Sequence, residues 1–301
     1  MQDFLGYCSS FLLLLSLTLV QSAPQLKQVE AYYDDYDATT SAPDCDCVCG
    51  VPNPKTRVVG GNVTMPNEFP WVVALERRNK FYCGATLISS KHVLTAAHCI
   101  DGFNTREIKV YMGVHNRLAM NSETTLVRKI KKAVVHPKFD IFSFDNDIAM
   151  LHLNEEVEFT QIIKPACLPT QARSDYTGYN GIVAGWGRLG EKKSTAIELM
   201  KVDVPMMTME QCRKSGYGEN RITDNMICAG YTEGKKDACQ GDSGGPMHIN
   251  IAAGKTELIG IVSWGRGCAR PNFPGVYTNV ATYLDWINNQ ITSDECVCKR
   301  P

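Results

Sequence analysis

Short β-rich runs separated by turn residues fill the sequence from Val58 to about Asn279, and this alternation constrains the fold more than any other feature. Runs of this length and composition are typical of antiparallel sheets that close into barrels. Only the segment from Tyr283 to Ile291 shows helical spacing of its apolar residues. We therefore predict an all-β fold with one C-terminal helix. The clearest runs are 71–75, 84–88, 127–135, 148–153, 181–185, 258–263 and 275–279.

The N-terminus has the pattern of a secretory leader. A Leu-rich stretch from Phe11 to Val20 is followed by the small residues Ser22 and Ala23, which indicates a signal peptide over residues 1–23. The apolar stretch is too short to span a bilayer as a helix, so we expect no stable membrane anchor. The mature protein is expected to be secreted and extracellular.

The cysteine content agrees with export to an oxidising compartment. The chain has thirteen cysteines, and removal of Cys8 with the leader leaves an even number that can pair fully. In the cytosol the same cysteines would indicate metal or redox chemistry instead.

Residues 24–57 contain few aliphatic side chains and are predicted to form a Cys-containing pro-segment without a core of its own. Its last part, 51–57, reads Val-Pro-Asn-Pro-Lys-Thr-Arg, which is typical of an exposed tether open to proteases. The tether leads directly into Val58-Val59-Gly60-Gly61. We predict that the main domain covers residues 58–291 and that a Cys-containing tail covers 292–301.

Three separated motifs carry residues suited to nucleophilic catalysis. They are Leu-Thr-Ala-Ala-His-Cys ending at Cys99, Asp-Asn-Asp-Ile-Ala-Met ending at Met150, and Gly-Asp-Ser-Gly-Gly-Pro ending at Pro246. In this order they resemble the chymotrypsin/trypsin family of serine proteases across nearly all of residues 58–291. The resemblance implies two six-stranded antiparallel β-barrels with the active site between them. It also implies a serine endopeptidase that needs no cofactor.

The chemistry of these residue types supports the same assignment. A serine hydroxyl is a poor nucleophile at neutral pH, so Ser243 needs a base that accepts and returns a proton, and His98 is the candidate. A buried carboxylate must orient the imidazole, as in the general Ser-His-Asp template. Asp147 is favoured over Asp145 because it directly precedes an apolar run that should be buried. The other histidines, at 92, 115, 136, 152 and 248, fit no such arrangement and are taken as structural or surface residues.

Further site residues are implied by the resemblance alone. The amide groups of Gly241 and Ser243 would form an oxyanion hole. Asp237 would lie at the base of the S1 pocket and select Arg or Lys at P1, and Gly265 and Gly275 would form its walls. Ala238 replaces a serine found in many trypsins, which predicts a preference for Arg over Lys.

The resemblance also implies activation by proteolysis. Cleavage between Arg57 and Val58 would free an α-amino group that pairs with Asp242 and orders the pocket. Because the bond follows an arginine, either the protein itself or an upstream trypsin-like protease could cut it.

Family spacing implies four disulfides: Cys83–Cys99, Cys212–Cys228, Cys239–Cys268 and Cys49–Cys167. The last would keep the pro-segment attached after cleavage. Four cysteines remain, and we expect them to cross-link the pro-segment to the C-terminal tail, with a zinc site as the alternative. They are Cys45, Cys47, Cys296 and Cys298.

The remaining expectations concern partners and modification. Asn62-Val63-Thr64 is an acceptor sequon for N-glycosylation. Val114 stands where calcium-binding relatives have a Glu, so no metal is expected. A net charge of -1 gives no reason to expect nucleic acid as a partner. We expect a monomer that acts on protein substrates and is controlled by serpin-type inhibitors, with a protease-like adaptor or a simple digestive trypsin as alternatives.

Overall fold

The computed structural model describes residues 47–53, 63–170, 175–234, 237–251, 254–291 and 298. Within these ranges the chain forms twelve antiparallel strands, numbered in chain order, and two short α-helices. The strands are β1 Val72–Arg77, β2 Lys80–Leu87, β3 His92–Thr95, β4 Ile108–Met112, β5 Leu126–Val135, β6 Ala149–Leu153, β7 Asn180–Gly185, β8 Met200–Pro205, β9 Met226–Ala229, β10 Pro246–Ile251, β11 Lys255–Trp264 and β12 Gly275–Asn279.

The first six strands form a closed barrel in the order β1-β2-β3-β6-β5-β4. Closure pairs every strand on both sides, which removes the exposed edges that an open sheet would present. Strand β3 is buried along its whole length, and its partner β6 is buried at four of five positions. Pairing of Thr95 with Ala149 sets the register between these two strands.

The other six strands form a sheet in the order β8-β7-β10-β11-β12-β9. Its two outer strands are brought together by a bridge between Met206 and Ala229 and by the Met207 amide, which donates to the Cys228 carbonyl at 3.0 Å. The sheet is therefore barrel-like. The predicted fold of two six-stranded antiparallel barrels is confirmed.

The helices differ in part from expectation. The C-terminal helix α2 covers Leu284–Asn288, inside the predicted segment 283–291 but shorter, and a 3₁₀ turn over Val280–Tyr283 precedes it. Helix α1, Met209–Arg213, was not predicted. Five residues are too few to show a periodic pattern, and this helix depends on a capping box between Thr208 and Gln211.

Five disulfides connect the described residues. Three lie in the two barrels: Cys83–Cys99, Cys212–Cys228 and Cys239–Cys268. Two hold the N-terminal segment: Cys49–Cys167 and Cys47–Cys298. The Cys47–Cys298 bond joins the predicted pro-segment to the predicted tail, whereas Cys45 and Cys296 lie outside the described residues. Among the described residues, no helix has the length and apolar character needed to span a membrane.

His248 on β10 is a deeply buried histidine. It is 1% exposed, its ring contacts those of Phe69 and Trp71, and neither ring nitrogen has a hydrogen-bond partner among the described residues. Burial, together with the smaller effect of the nearby Lys201 charge, lowers the pKa of His248 to about 3. The imidazole is therefore neutral in the folded protein at neutral pH.

We expect His248 to destabilise the protein in acid. Below pH 6.5 the His248 imidazole is protonated in the unfolded chain but stays neutral in the folded chain. The free energy of unfolding therefore falls as the pH drops from 6.5 towards 3. Between pH 6.5 and 4.5 the loss from this group amounts to about 2 to 3 kcal/mol. Urea unfolding at both pH values should show that His248→Phe removes this part of the pH dependence. An equal slope in the wild type and the variant would contradict the assignment.

Candidate active site

His98 and Asp147 meet because the strands that carry them are paired. His98 lies in the 3₁₀ turn Ala97–Cys99 just after β3, and Asp147 lies just before β6. The Asp147 carboxylate accepts a hydrogen bond from the His98 backbone amide at 2.9 Å and one from His98 Nδ1 at 2.8 Å. Since a carboxylate only accepts, Nδ1 carries the proton and Nε2 is left free to act as a base.

The second sheet completes the surroundings of Asp147. The Ser263 hydroxyl donates to Asp147 Oδ2 at 2.5 Å, and the Thr278 hydroxyl donates to the Asp147 carbonyl at 2.7 Å. Asp147 is fully buried, so these bonds offset the cost of removing a carboxylate from water. Sequence reasoning missed the role of Ser263, because a single serine inside a β-strand carries no local signal.

Asp145 has a different set of partners, which explains why only one of the two carboxylates reaches His98. Its carboxylate accepts hydrogen bonds from the Thr223 hydroxyl at 2.6 Å and from the Asn225 side-chain amide at 3.0 Å. Asp145 is also partly exposed, whereas Asp147 is not. Asp145 thus holds its loop against the segment before β9.

Ser243 lies in a tight turn held between the two sheets. Its carbonyl accepts a hydrogen bond from the Gly84 amide on β2 at 2.8 Å. Gly244, the next residue, has φ +77°, and a Cβ there would collide with the Thr95 hydroxyl and the Gly84 carbonyl. Only glycine satisfies both the left-handed backbone and the lack of space at this position.

The backbone amides around Ser243 differ in whether they donate a hydrogen bond within the protein. Those of Asp242, Gly244 and Gly245 donate to backbone carbonyls at 2.8 to 2.9 Å. Those of Gly241 and Ser243 donate to no other group in the part of the chain that the structure describes. Two amide donors in this turn are therefore available to a bound group.

One cleft brings most of the predicted site residues together. A cavity of about 270 Å³ is lined by His98, Ser243, Asp237, Gly265 and Gly275, with Ala238 and Trp264 also in its wall. Among the described residues no hydrogen bond joins His98 to Ser243, although both side chains face this cavity. Catalytic hydrogen bonds are often long in the absence of substrate.

Asp237 is a half-buried acid in this cleft. Burial raises the pKa of its carboxyl to about 7, although the amides of Ala269 and Ala238 donate to it at 3.2 and 2.8 Å and oppose the rise. The two glycines near it have different surroundings. A Cβ at Gly275 would lie 2.7 Å from Asp237 Oδ1, whereas a Cβ at Gly265 would meet nothing closer than the Tyr217 hydroxyl at 3.7 Å.

Asp242 lies outside the cleft, beside a second cavity of about 200 Å³. Its carboxylate accepts hydrogen bonds from the amides of Gly187 at 2.7 Å and Cys239 at 3.0 Å. Burial raises the pKa of Asp242, and the hydrogen bonds from these two amides oppose the rise. The cavity beside it is also lined by Met200.

Several predicted residues lie outside the described part of the chain. These are Arg57 and Val58 at the predicted cleavage site, and the sequon residue Asn62. One group of potential metal ligands lies beside the cleft and consists of Cys83, His98 and Cys99. The two sulfurs are joined in a disulfide, so they cannot act as thiolate ligands.

Two antiparallel six-stranded barrels with a serine, a histidine and a buried aspartate at one cleft define a serine endopeptidase, which is a hydrolase. Comparison with known sequences agrees. The sequence model of the family described as trypsin matches residues 58–287. The chain therefore belongs to the trypsin family.

Two curated relatives show how far the similarity extends. The chain is 38% identical over 255 residues to the clotting factor G beta subunit of Tachypleus tridentatus, which covers 79% of this chain and 81% of that protein. It is 36% identical over 253 residues to the serine proteinase stubble of Drosophila melanogaster, covering 79% of this chain and 32% of that protein. The match thus spans about a third of the stubble protein.

We expect Asp237→Asn to change how stability depends on pH. Between about pH 4 and 7 the unfolded chain loses a proton that the folded chain keeps, so Asp237 lowers stability as the pH rises. The loss reaches about 3 to 4 kcal/mol at pH 8. Urea unfolding at pH 4 and pH 8 should show that the variant lacks this decline. A decline of the same size in Asp237→Asn would show that the carboxyl titrates at its ordinary pKa.

Proposed function

We propose that the protein is a secreted protease zymogen that is activated by cleavage after Arg57 and then cuts protein substrates after Arg or Lys. The observation that carries this proposal is the single cleft in which His98, paired with the buried Asp147, faces the same space as Ser243 and Asp237. A nucleophile, a base and an acid at the base of a pocket are the parts that cleavage after a basic residue requires.

The proposed chemistry is acyl transfer through Ser243. Its hydroxyl attacks the scissile carbonyl while His98 Nε2 removes the proton and later gives it to the leaving amine. Asp147 holds the tautomer and stabilises the imidazolium that forms. The unused amides of Gly241 and Ser243 would stabilise the oxyanion, and loss of one such donor costs on the order of 10²- to 10³-fold in rate.

Specificity is assigned to Asp237. The half-buried Asp237 carboxylate forms no salt bridge with a cation among the described residues, and it favours a cationic side chain at P1 because pairing offsets the cost of its burial. The open space at Gly265 leaves room for a long side chain. Because Ala238 offers only its backbone amide, which already donates to Asp237, no hydroxyl helps to solvate an ammonium there. Arg is therefore preferred over Lys.

Activation is assigned to the cavity beside Asp242. Val63 forms a bridge with Met200, and Met200 lines this cavity, so the chain five residues after Val58 lies next to it. Five extended residues reach roughly 17 Å. A new amino group at Val58 could therefore enter the cavity and supply the countercharge that Asp242 lacks. The activator is an upstream trypsin-like protease or the protein itself.

The proposed domain organisation follows from this scheme. Residues 1–23 are a signal peptide, 24–57 a pro-segment, 58–291 the protease domain and 292–301 a tail. The disulfides of Cys47 and Cys49 support retention of the pro-segment after cleavage. Glycosylation at Asn62, control by serpin-type inhibitors and a monomeric state complete the proposal.

The physiological setting that we favour is a limited-proteolysis cascade. The name of one relative describes a subunit of a clotting factor, and a retained, disulfide-bound pro-segment is unnecessary for bulk digestion. A protease-like adaptor is disfavoured by the presence of Ser243 in the cleft.

Peptide-library cleavage tests the proposed activity. After cleavage at Arg57, the enzyme should prefer Arg at P1 over Leu by on the order of 10⁴-fold, since an apolar side chain leaves Asp237 unpaired. Ser243→Ala should lower kcat by on the order of 10⁶-fold. Cleavage that persists in this variant, or that ignores the P1 residue, would refute the proposal.

Gel electrophoresis tests retention of the pro-segment. After cleavage at Arg57 the pro-segment should stay attached without reductant and separate with it, because one disulfide joins it to the protease domain and a second joins it to the C-terminal tail. Cys49→Ser combined with Cys167→Ser should still retain it through Cys47–Cys298. Arg57→Gln is the control that blocks cleavage. Release from the wild type under non-reducing conditions would show that neither bond tethers it.

A further inference from the structure

A salt bridge lies immediately behind the backbone that contacts Asp237. Glu191 and Arg270 form a two-point pair, with Arg270 Nε at 2.5 Å from Glu191 Oε1 and Nη2 at 3.0 Å from Oε2. Glu191 Oε1 also accepts the backbone amide of Cys268 at 3.0 Å. One carboxylate thus holds the residues on both sides of Ala269.

The position of Glu191 is set by a separate loop. Arg188 and Thr195 form a bridge, and the Leu189 amide donates to the Ser194 carbonyl at 3.1 Å, so the loop between them is closed on itself. The Arg188 side chain adds a hydrogen bond to the Lys193 carbonyl at 2.9 Å. Glu191 therefore contacts segment 268–270 from a hydrogen-bonded loop that lies about 80 residues earlier in the chain.

Ala269 needs such support because its backbone is strained. It has φ +56°, a left-handed conformation that is unfavourable for a residue with a Cβ. Strain of this kind persists only where the surroundings enforce it. On one side Cys268 is fixed by its disulfide to Cys239 and by Glu191, and on the other side Arg270 is fixed by Glu191. Gly267, at φ +78°, leaves the space that the Glu191 carboxylate occupies.

The strained residue makes a functional contact. The Ala269 amide donates to Asp237 Oδ2 at 3.2 Å, and it is one of the two backbone donors to this half-buried carboxylate. A continuous set of contacts therefore runs from the exposed Glu191, through Cys268 and Arg270, to Ala269 and Asp237. If the salt bridge were lost, Ala269 could relax towards negative φ and its amide would turn away from Asp237.

We propose that Glu191 and Arg270 are positioning residues for the basic P1 side chain, because together they hold the Ala269 amide against Asp237. This inference rests on the proposed function, in which Asp237 recognises Arg or Lys. Neither residue lines the cleft that contains His98 and Ser243. Their loss is therefore expected to weaken binding at the pocket while leaving the chemical step intact.

Steady-state kinetics of the full chain, cut at Arg57, test the proposal with an Arg peptide. Glu191→Ala should raise KM and the inhibition constant of benzamidine by about five- to tenfold, the low end of coupling between two sites, with kcat changed less than about twofold. Arg270→Ala should have the same effect, and the double variant should be no worse than either single variant. Glu191→Gln keeps an acceptor for Cys268 and should be intermediate.

The matched control is Glu210→Gln. It breaks a pair between Glu210 on α1 and Lys214, the residue that follows α1, which has the same 2.5 Å separation. Neither side chain has a hydrogen bond to segment 268–270 among the described residues. This variant should leave KM and benzamidine inhibition unchanged. If Glu191→Ala folds poorly, Glu191→Gln and Arg270→Lys provide the same comparison, with thermal unfolding as the check.

The pH dependence of benzamidine binding gives a second readout that a purely structural role would not change. The charged or titratable groups facing Asp237 are Asp242, Tyr217 and Tyr277, and those facing Glu191 are Arg270 and Lys192. The pKa of Glu191 is about 2, so the salt bridge does not itself titrate near neutrality. Binding should weaken below about pH 7 in the wild type, and in Glu191→Ala the midpoint should move to higher pH.

The two proposals fail in different ways. If the wild type does not cleave after Arg or Lys, the proposed function is wrong. If the wild type does so and Glu191→Ala matches Glu210→Gln in KM, benzamidine inhibition and pH midpoint, only the positioning role is wrong. A fall in kcat with KM unchanged would also overturn it, because the defect would then lie in the chemical step.

Discussion

The buried carboxylate of Asp147 is the interaction on which the arrangement of the two barrels depends. Both of its side-chain oxygens accept hydrogen bonds from His98 in the first barrel, and Oδ2 also accepts one from Ser263 in the second sheet. A buried charge is costly unless it is fully hydrogen-bonded, so the Asp147 carboxylate needs donors from both barrels. These contacts therefore link the two barrels through one carboxylate. Loss of any one donor would leave the carboxylate partly unsatisfied, so the geometry of His98 and the packing of the barrels are linked.

The close approach of the two barrels has a second cause in the glycines. A Cβ at Gly84 on β2 would lie 2.9 Å from the Gly245 Cα, and Gly244 has no space for a side chain. The lack of side chains lets the turn that carries Ser243 reach the first barrel and accept the Gly84 amide. A nucleophile from one sheet and a histidine from the other thus share a cleft, although the chain segments are about 145 residues apart.

The carboxyl groups of Asp237 and Asp242 are placed where their ionised forms are unfavourable. Both are largely withdrawn from solvent, which raises the pKa of both, and hydrogen bonds from backbone amides oppose the rise. A structure selected for stability alone would replace them with neutral groups. In the proposed function each carboxylate pairs with a cation, which is the P1 side chain at Asp237 and the new amino group of Val58 at Asp242. The Glu191–Arg270 pair belongs to the same arrangement, because it holds one of the few donors that Asp237 has.

Local patterns and motifs in the sequence were enough to predict the fold class and the candidate catalytic residues. Alternating short β runs indicated antiparallel sheets closed into barrels, and the family resemblance implied that there are two. The three motifs singled out His98, Asp147 and Ser243; His98 is hydrogen-bonded to Asp147 and lines the same cleft as Ser243. The choice of Asp147 over Asp145 was also predictable, since an apolar run follows it. Only the tertiary structure decided the rest. The Asp147–Ser263 hydrogen bond and the Glu191–Arg270 salt bridge join residues about 80 to 120 positions apart, and the short helix α1 depends on its cap. The cross-link between pro-segment and tail was expected from the sequence, but the pairing of Cys47 with Cys298 was not. Such contacts leave no periodic or local trace, because their energy comes from three-dimensional proximity and burial, which a linear pattern does not encode.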